Sequence, residues 1–312
     1  MSDHDHYFAS FDDDFILPFK VGDHAIRGRV VRLGAQIDQI LSRHPFNDAV
    51  KQLLGETAAL TALMGSSLKF DGRFILQIQG DGPTSMLVSD YATGGKLRAM
   101  ASVSNGIADE SAFRELLGEK GHMGVTIDQG PDMERYQGVT PLEGDTLSGS
   151  AVAYFNQSEQ IPTAVKLAVG RISIPGEADQ WRAGGIMAQF VPGEGGDRDR
   201  GEAVLQAPED RDAWERAEAF LQTTQNDELL DPNISAQTLL YRLFHEDGVR
   251  VFDPQPVNAV CSCNSGKISA VLARYSKSEL ADMVEDGFIR VTCEFCRTDY
   301  LFSNEGEPAP AQ

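Results

Sequence analysis

Positive charge is scarce in this sequence. Lys and Arg number 27 against 47 Asp and Glu, a formal net charge of −20 with a pI near 4.6. A field of that sign repels a polyanion over more than a Debye length, which excludes nucleic acid as the main partner and disfavours an anionic membrane surface. Long apolar runs are missing as well: no stretch approaches the roughly 18 residues that a bilayer span requires. Met1 to Asp14 is acidic and polar, where a signal peptide has a basic start and an apolar run, so the expected location is the cytoplasm. A phosphate-cradling G-x-x-x-x-G-K-[ST] loop is absent, and Gly80-Asp81-Gly82-Pro83 reads as a plain turn, so no ATP-driven activity is expected. Cysteine is missing from the first 260 residues.

What is present organises into three stretches. From Ala25 to about Pro192 strands and helices mix. Asn47–Ser67 reads as a buried amphipathic helix started by Asn47 or Asp48. Phe74–Gln79, Met86–Tyr91, Lys96–Ser102 and Val125–Asp128 read as short strands, with Arg135–Val139 as a further candidate. Thr146–Gln157 resembles a helix, and Ala164–Val169 and Gly185–Val191 look like strands. The predicted fold class is therefore α+β: a mixed core over 1–192, a helical, metastable linker over 193–250 and a small zinc-binding domain over 251–312. Between Glu194 and Asp231 there are 12 Asp or Glu against 4 Arg, and Gly193–Gly201 carries no apolar residue, so this stretch is expected to be a flexible connector. Two short amphipathic helices are expected beyond it, Ala213–Thr224 with Trp214, Ala217 and Leu221 on one face, and Ser235–His245 with Leu239, Leu240, Leu243 and Phe244. Helices of that length hold only while something covers their apolar stripes.

The four cysteines form two close pairs, Cys261-Ser262-Cys263 and Cys293-Glu294-Phe295-Cys296. In a reducing compartment such pairs point to metal ligation or redox chemistry rather than structural disulfides. Four thiolates favour one tetrahedral zinc ion held by Cys261, Cys263, Cys293 and Cys296; iron is the alternative, disfavoured by the Cys-x-Cys spacing. The intervening loop carries Val271, Leu272, Tyr275, Leu280 and Val284 in a helical pattern able to form a small core, with flanking strands at Ile289-Arg290-Val291 and Tyr300-Leu301-Phe302. From residue 251 onward 5 Lys or Arg face 9 Asp or Glu, unlike a zinc ribbon that reads nucleic acid. Zinc holds sulfur as the nucleophilic thiolate, so an oxidant can convert one thiolate to a sulfenic acid that a neighbouring sulfur then captures. Each such event removes two ligands and withdraws the stabilisation of the module.

The chain resembles the family of the 33 kDa heat-shock protein, the 33 kDa chaperonin. Besides the cysteine pairs, the resemblance is carried by Arg27-Gly28, Leu68-Lys69-Phe70-Asp71-Gly72, Gln77-Ile78-Gln79-Gly80-Asp81-Gly82-Pro83 and Glu134-Arg135-Tyr136-Gln137-Gly138. It continues in Leu142-Glu143-Gly144-Asp145, Tyr154-Phe155, Ser158-Glu159-Gln160-Ile161-Pro162-Thr163 and Tyr241-Arg242-Leu243-Phe244-His245-Glu246. It implies a redox-regulated holdase rather than an enzyme, with one zinc ion per reduced chain. It further implies that oxidation joins Cys261 with Cys263 and Cys293 with Cys296, releases zinc and unfolds the linker. The oxidised form is then expected to dimerise and to hold unfolding client proteins without ATP. Two features depart from the family pattern, the acidic, His-bearing N-terminal extension and the segment Gly193–Gly201.

Two other readings compete, a thiol-disulfide oxidoreductase using Cys293 and Cys296, and a purely structural zinc module. A redox Cys-x-x-Cys usually opens a helix, whereas strands are expected on both sides of this one. His4 and His6 read as part of a solvated tail, and Glu143 and Asp145 as helix N-terminal acids rather than an acid/base pair.

Overall fold

The computed structural model describes residues 13–68, 71–104, 107–130, 133–173, 176, 178–191 and 208–309. His4, His6, the Lys69-Phe70 part of one family motif and the whole of Gly193–Gly201 lie outside them. Along the chain the first elements are β1 (Phe15–Val21), β2 (Ile26–Leu33), α1 (Ala35–Ser42), α2 (Asp48–Ser67), β3 (Arg73–Gly80), β4 (Thr84–Ala92), β5 (Lys96–Val103), α3 (Phe113–Leu117), β6 (Gly121–Asp128) and β7 (Tyr136–Pro141). Then come α4 (Leu147–Tyr154), which runs into a π-helical turn at Phe155–Glu159, β8 (Thr163–Ile172) and β9 (Gln180–Phe190). The elements α5 (Pro208–Thr223), α6 (Asn226–Leu230), α7 (Ala236–Phe244), β10 (Val249–Val251), β11 (Gln255–Pro256) and β12 (Asn258–Ala259) complete the first of two compact units, which ends at Ala259. The second holds α8 (Ser265–Leu272), α9 (Lys277–Asp282), β13 (Val284–Glu285), β14 (Phe288–Thr292) and β15 (Asp299–Phe302).

Two sheets build the first unit. One runs β10-β1-β2-β9-β8, with β11 also on β1; the other runs β12-β5-β4-β3-β6-β7, antiparallel except where β12 joins β5. Between them lies α2. Asn47 caps it by accepting from the Val50 amide at 3.1 Å, and Leu53, Leu54, Ala58, Leu60, Leu63 and Met64 are buried around its circumference. Such a helix is apolar on nearly every side because it packs against β2, β8 and β9 on one flank and β3, β4 and β5 on the other. The hydroxyls of Thr57 and Thr61 stay satisfied by donating to the carbonyls of Leu53 and Thr57.

Several elements differ from the sequence reading for identifiable reasons. The core begins at Phe15 rather than Ala25: β1 and β2 form a hairpin, and Ile16, Leu17, Phe19, Ile26, Val30 and Val31 fill both of its faces. β9 is buried along nearly its whole length, so it lacks the alternation of a half-exposed strand. The expected single helix over Thr146–Gln157 becomes α4 plus the π turn, closed by Gln160 in a left-handed conformation with φ 54°. The first unit extends past the 250/251 division drawn from composition because β10 and β11 pair with β1, and β12 with β5.

The second face of the β1-β2-β9-β8 sheet forms a separate core. Phe15, Leu17, Phe19, Ile26, Val30, Ile186 and Phe190 meet Trp214, Leu221, Leu229, Leu239, Leu240 and Phe244 from α5, α6 and α7. The Phe19 and Phe244 rings stack at 5.7 Å. These helices are therefore held by the sheet, which supplies the cover that their apolar stripes require. No helix among the described residues is long and apolar enough to cross a membrane.

Candidate metal centre

The second unit has its own small core of Leu272, Leu280, Ile289 and Phe302, with Ile268, Val284, Val291 and Tyr300 against it. Val271 and Tyr275, expected in that core, are exposed instead, at 51% and 43%. Val271 stands on α8 next to Leu272, which takes the inward position, and Tyr275 lies in the turn between α8 and α9. Ser276 and Glu279 form a capping box at α9, and Asn264 caps α8 by accepting from the Lys267 amide at 2.9 Å. That cap fixes the chain immediately after Cys263.

Cys293 and Cys296 sit on the turn that joins β14 to β15. The strands pair in register from Ile289↔Phe302 to Thr292↔Asp299, and the turn is closed by the Cys293 amide donating to the Thr298 carbonyl at 2.9 Å. The Arg297 amide donates to the Cys293 carbonyl at 2.8 Å, with Arg297 left-handed at φ 57°. The Thr292 hydroxyl and the Arg290 guanidinium both donate to the Asp299 carboxylate, at 2.5 and 3.1 Å, and brace the base of the hairpin.

This folding brings all four sulfurs together, each within 4.8 Å of the others. Cys261 and Cys293 are 3.7 Å apart and Cys263 and Cys296 3.3 Å, sulfur to sulfur. None is in a disulfide, Cys296 is buried and the other three are half-buried. Around a tetrahedral zinc with bonds of about 2.3 Å, thiolate sulfurs stand about 3.8 Å apart, so the cluster is close to the size of such a site.

Its electrostatics suit a dication. Burial pushes the Cys263 thiol up to about 12 and raises Cys293 too. Cys296 goes the other way: burial opposes ionisation, but the Thr298 hydroxyl and amide and the neighbouring thiols bring it down to about 6. The Cys296 thiolate forms readily, whereas four anions at this spacing need a compensating cation. Two hydroxyls lie beside the sulfurs, Tyr300 at 3.2 Å from Cys263 and Thr298 at 3.3 Å from Cys296. The hydrogen bond to Cys263 and the charge of the cluster raise the Tyr300 phenol. Sequence reasoning placed Tyr300 on a strand but did not attach it, or Thr298, to the sulfurs.

The discounted motifs have structural partners. In the β3–β4 turn, Asp81 accepts from the Lys120 amide at 2.9 Å and the Gly82 amide donates to the Leu117 carbonyl at 3.0 Å. Glu143 accepts from Gln157 at 2.8 Å, whereas Asp145 lies 3.6 Å from Arg114. The N-cap of α4 is Thr146. The family-motif residues Tyr136, Tyr154 and Glu159 converge, with both phenols donating to one Glu159 oxygen, at 2.5 and 3.2 Å.

Comparison with known proteins agrees along nearly the whole chain. A family model described as Hsp33 protein matches residues 14–303. The 33 kDa chaperonin of Caulobacter vibrioides is 49% identical over 303 residues, covering 94% of this chain and 96% of its own. That of Shewanella loihica is 35% identical over 280 residues, 89% of each chain. The crystal structure of the 33 kDa chaperonin from Thermotoga maritima superposes with a TM-score of 0.75 at 22% identity, over 94% of this chain and 96% of that one, which shows a shared fold.

Proposed function

This chain belongs to the Hsp33 family, and from that premise we propose that it is a redox-regulated, ATP-independent holdase of the cytoplasm that binds unfolding proteins under oxidative stress. The observation that carries this reading is the convergence of Cys261, Cys263, Cys293 and Cys296 in a unit whose own core is four residues deep. So small a core needs a staple. Zinc bound there would hold all four sulfurs as thiolates and supply folding free energy, one ion per reduced chain.

The chain's own chemistry then makes the switch. A thiolate attacks peroxide, taking one oxygen as sulfenic acid and releasing hydroxide. The thiolate of the same pair displaces that oxygen as hydroxide and closes a disulfide, Cys261 with Cys263 and Cys293 with Cys296. Two peroxides are consumed for two disulfides. The separations of 3.7 and 3.3 Å both run between the pairs, and all four sulfurs lie within 4.8 Å of one another, so distance does not select the partners and the pairing rests on the family resemblance; peptide mapping of the oxidised protein decides it. Loss of the staple unfolds the tail, which frees the C-terminal end of β12, a strand of two residues. Fraying from there proceeds through β11 and β10 toward α7. The apolar face under α5–α7 is the surface offered to clients, and the net negative charge keeps the loaded, dimeric complex soluble.

The position of Cys293 and Cys296 on a β-hairpin rather than at a helix N-terminus weighs against the oxidoreductase reading. The test is zinc and thiol stoichiometry measured with suppression of client aggregation, before and after peroxide. One zinc and inactivity when reduced, with no zinc and activity when oxidised, is the expected result. Reduced protein without metal, or equal activity in both states, overturns the reading.

A further inference from the structure

Where α6 meets the core there is a charged contact that neither the apolar face nor the cysteine chemistry uses. Arg32 projects from β2 and is 2% exposed. Its guanidinium donates to three backbone carbonyls of the linker: Glu228 at 3.0 Å, Ile234 at 3.0 Å and Asp231. These oxygens belong to α6 and the turn that leads into α7. The turn is shaped by the Asp231 carboxylate, which accepts from the Asn233 amide and side chain at 2.8 and 2.9 Å; Ser235 then caps α7. On the core side Asp13 lies 4.0 Å from Arg32 and is ion-paired with Arg182, itself 6% exposed. Two buried guanidinium groups thus share one carboxylate, and the linker carbonyls supply the remaining acceptors. Burial brings Arg32 down to about 10, but it stays charged.

A second observation, independent of charge, marks the same place. Gly184 of β9 lies directly beneath α6, and a Cβ placed on it would collide with the Leu229 carbonyl. Any side chain there would lift α6 from the sheet.

We propose that Arg32, together with the glycine seat at Gly184, is the latch that positions α6 and the following turn on the core and makes α6 and α7 leave the sheet as one body. A buried guanidinium that loses three acceptors at once cannot release the turn in stages without a stranded charge. The latch deepens the holdase reading above by naming what opposes linker release, but the contact itself is tested without oxidant or client.

The test uses the full-length, reduced, zinc-loaded protein and three variants. Arg32→Lys keeps the charge and loses the planar fork that reaches three carbonyls. Gly184→Ala leaves Arg32 intact and penalises only the docked helix, since alanine suits a strand better than glycine. Arg98→Lys is the control, because Arg98 is a half-buried guanidinium paired with Asp90 in the other sheet. Hydrogen exchange should show residues 226–244 losing protection in the first two variants, by about tenfold or more in Arg32→Lys, as expected for losing one to two charged hydrogen bonds, and in Gly184→Ala through the clash of the added Cβ with the Leu229 carbonyl, while α2 stays protected and zinc stays bound. The control should not open 226–244 selectively. Unchanged protection of 226–244 in either variant, or equal loss in α2 in both, overturns the latch. Aggregation suppression on the same samples separates the two ideas. A freed linker without client binding leaves the latch standing and refutes the linker-release part of the holdase reading.

Discussion

Thr298 and Tyr300 illustrate what single residues add to the cysteine cluster. Each places a hydroxyl beside one sulfur, and with metal present such a hydroxyl donates to the thiolate and spreads its charge. Thr298→Val is therefore expected to weaken zinc binding by about tenfold or more while the first unit keeps its melting temperature. Competition with a chromophoric chelator measures this, and unchanged affinity would count against a supporting role. Cys293→Ser removes a ligand outright and should cost most of the zinc affinity, with exchange rising throughout residues 265–302 and not in α2. The ligand set was legible because two close pairs of one rare residue carry a spacing signal. The hydroxyl partners were not, since Thr298 and Tyr300 look like ordinary strand residues. Arg32 was legible still less: a lone Arg on a strand has no spacing, and only the fold brings the carbonyls of residues 228, 231 and 234 to it.

Among the elements, α2 shows how burial that stabilises a fold also makes it sensitive to pH. Glu56 lies on α2 beside a hollow lined by Gln52, Phe113, Leu116 and Asp145, and desolvation pushes its carboxyl up to about 7. An acid raised on folding binds more protons in the folded chain than in the unfolded one between pH 4.5 and 7. Stability from this group is thus full below the unfolded value of 4.5 and is lost as pH rises through about 7. The loss is on the order of 3 kcal/mol. Glu56→Gln should therefore stabilise the protein at pH 8 and flatten the decline between pH 5 and 7.5, as read from denaturation midpoints. A wild-type decline that survives in the variant would assign it to another group. Elements with a clear period were readable from sequence, α2 by its apolar residues and β3 to β6 by alternation. β1 and β2 were missed because both of their faces are buried, one against α2 and the other under α5–α7. That double cover is a tertiary fact without a local signature.

At the scale of the whole chain, the two tryptophans fall on opposite sides of the proposed switch. Trp181 belongs to the core between the sheets, with its amide donating to Asp38 at 2.9 Å and the Arg171 guanidinium 4.9 Å over its ring. Trp214 sits on α5 and is buried against the outer face of the β1-β2-β9-β8 sheet. In a Trp181→Phe background, Trp214 becomes the sole indole reporter of that face, since the sequence holds only 2 Trp. Reduced, zinc-loaded protein should emit as a buried indole. Peroxide should shift the emission to the red in step with zinc release, and reductant with zinc should return it. The −20 net charge of the chain makes low salt favour the released state, because self-repulsion is screened over about 10 Å at 0.1 M. The oxidised protein should therefore emit further to the red at 10 mM salt than at 500 mM. Trp214 emission that stayed blue after complete zinc loss would show that α5 remains on the sheet, and the client surface would then have to lie elsewhere.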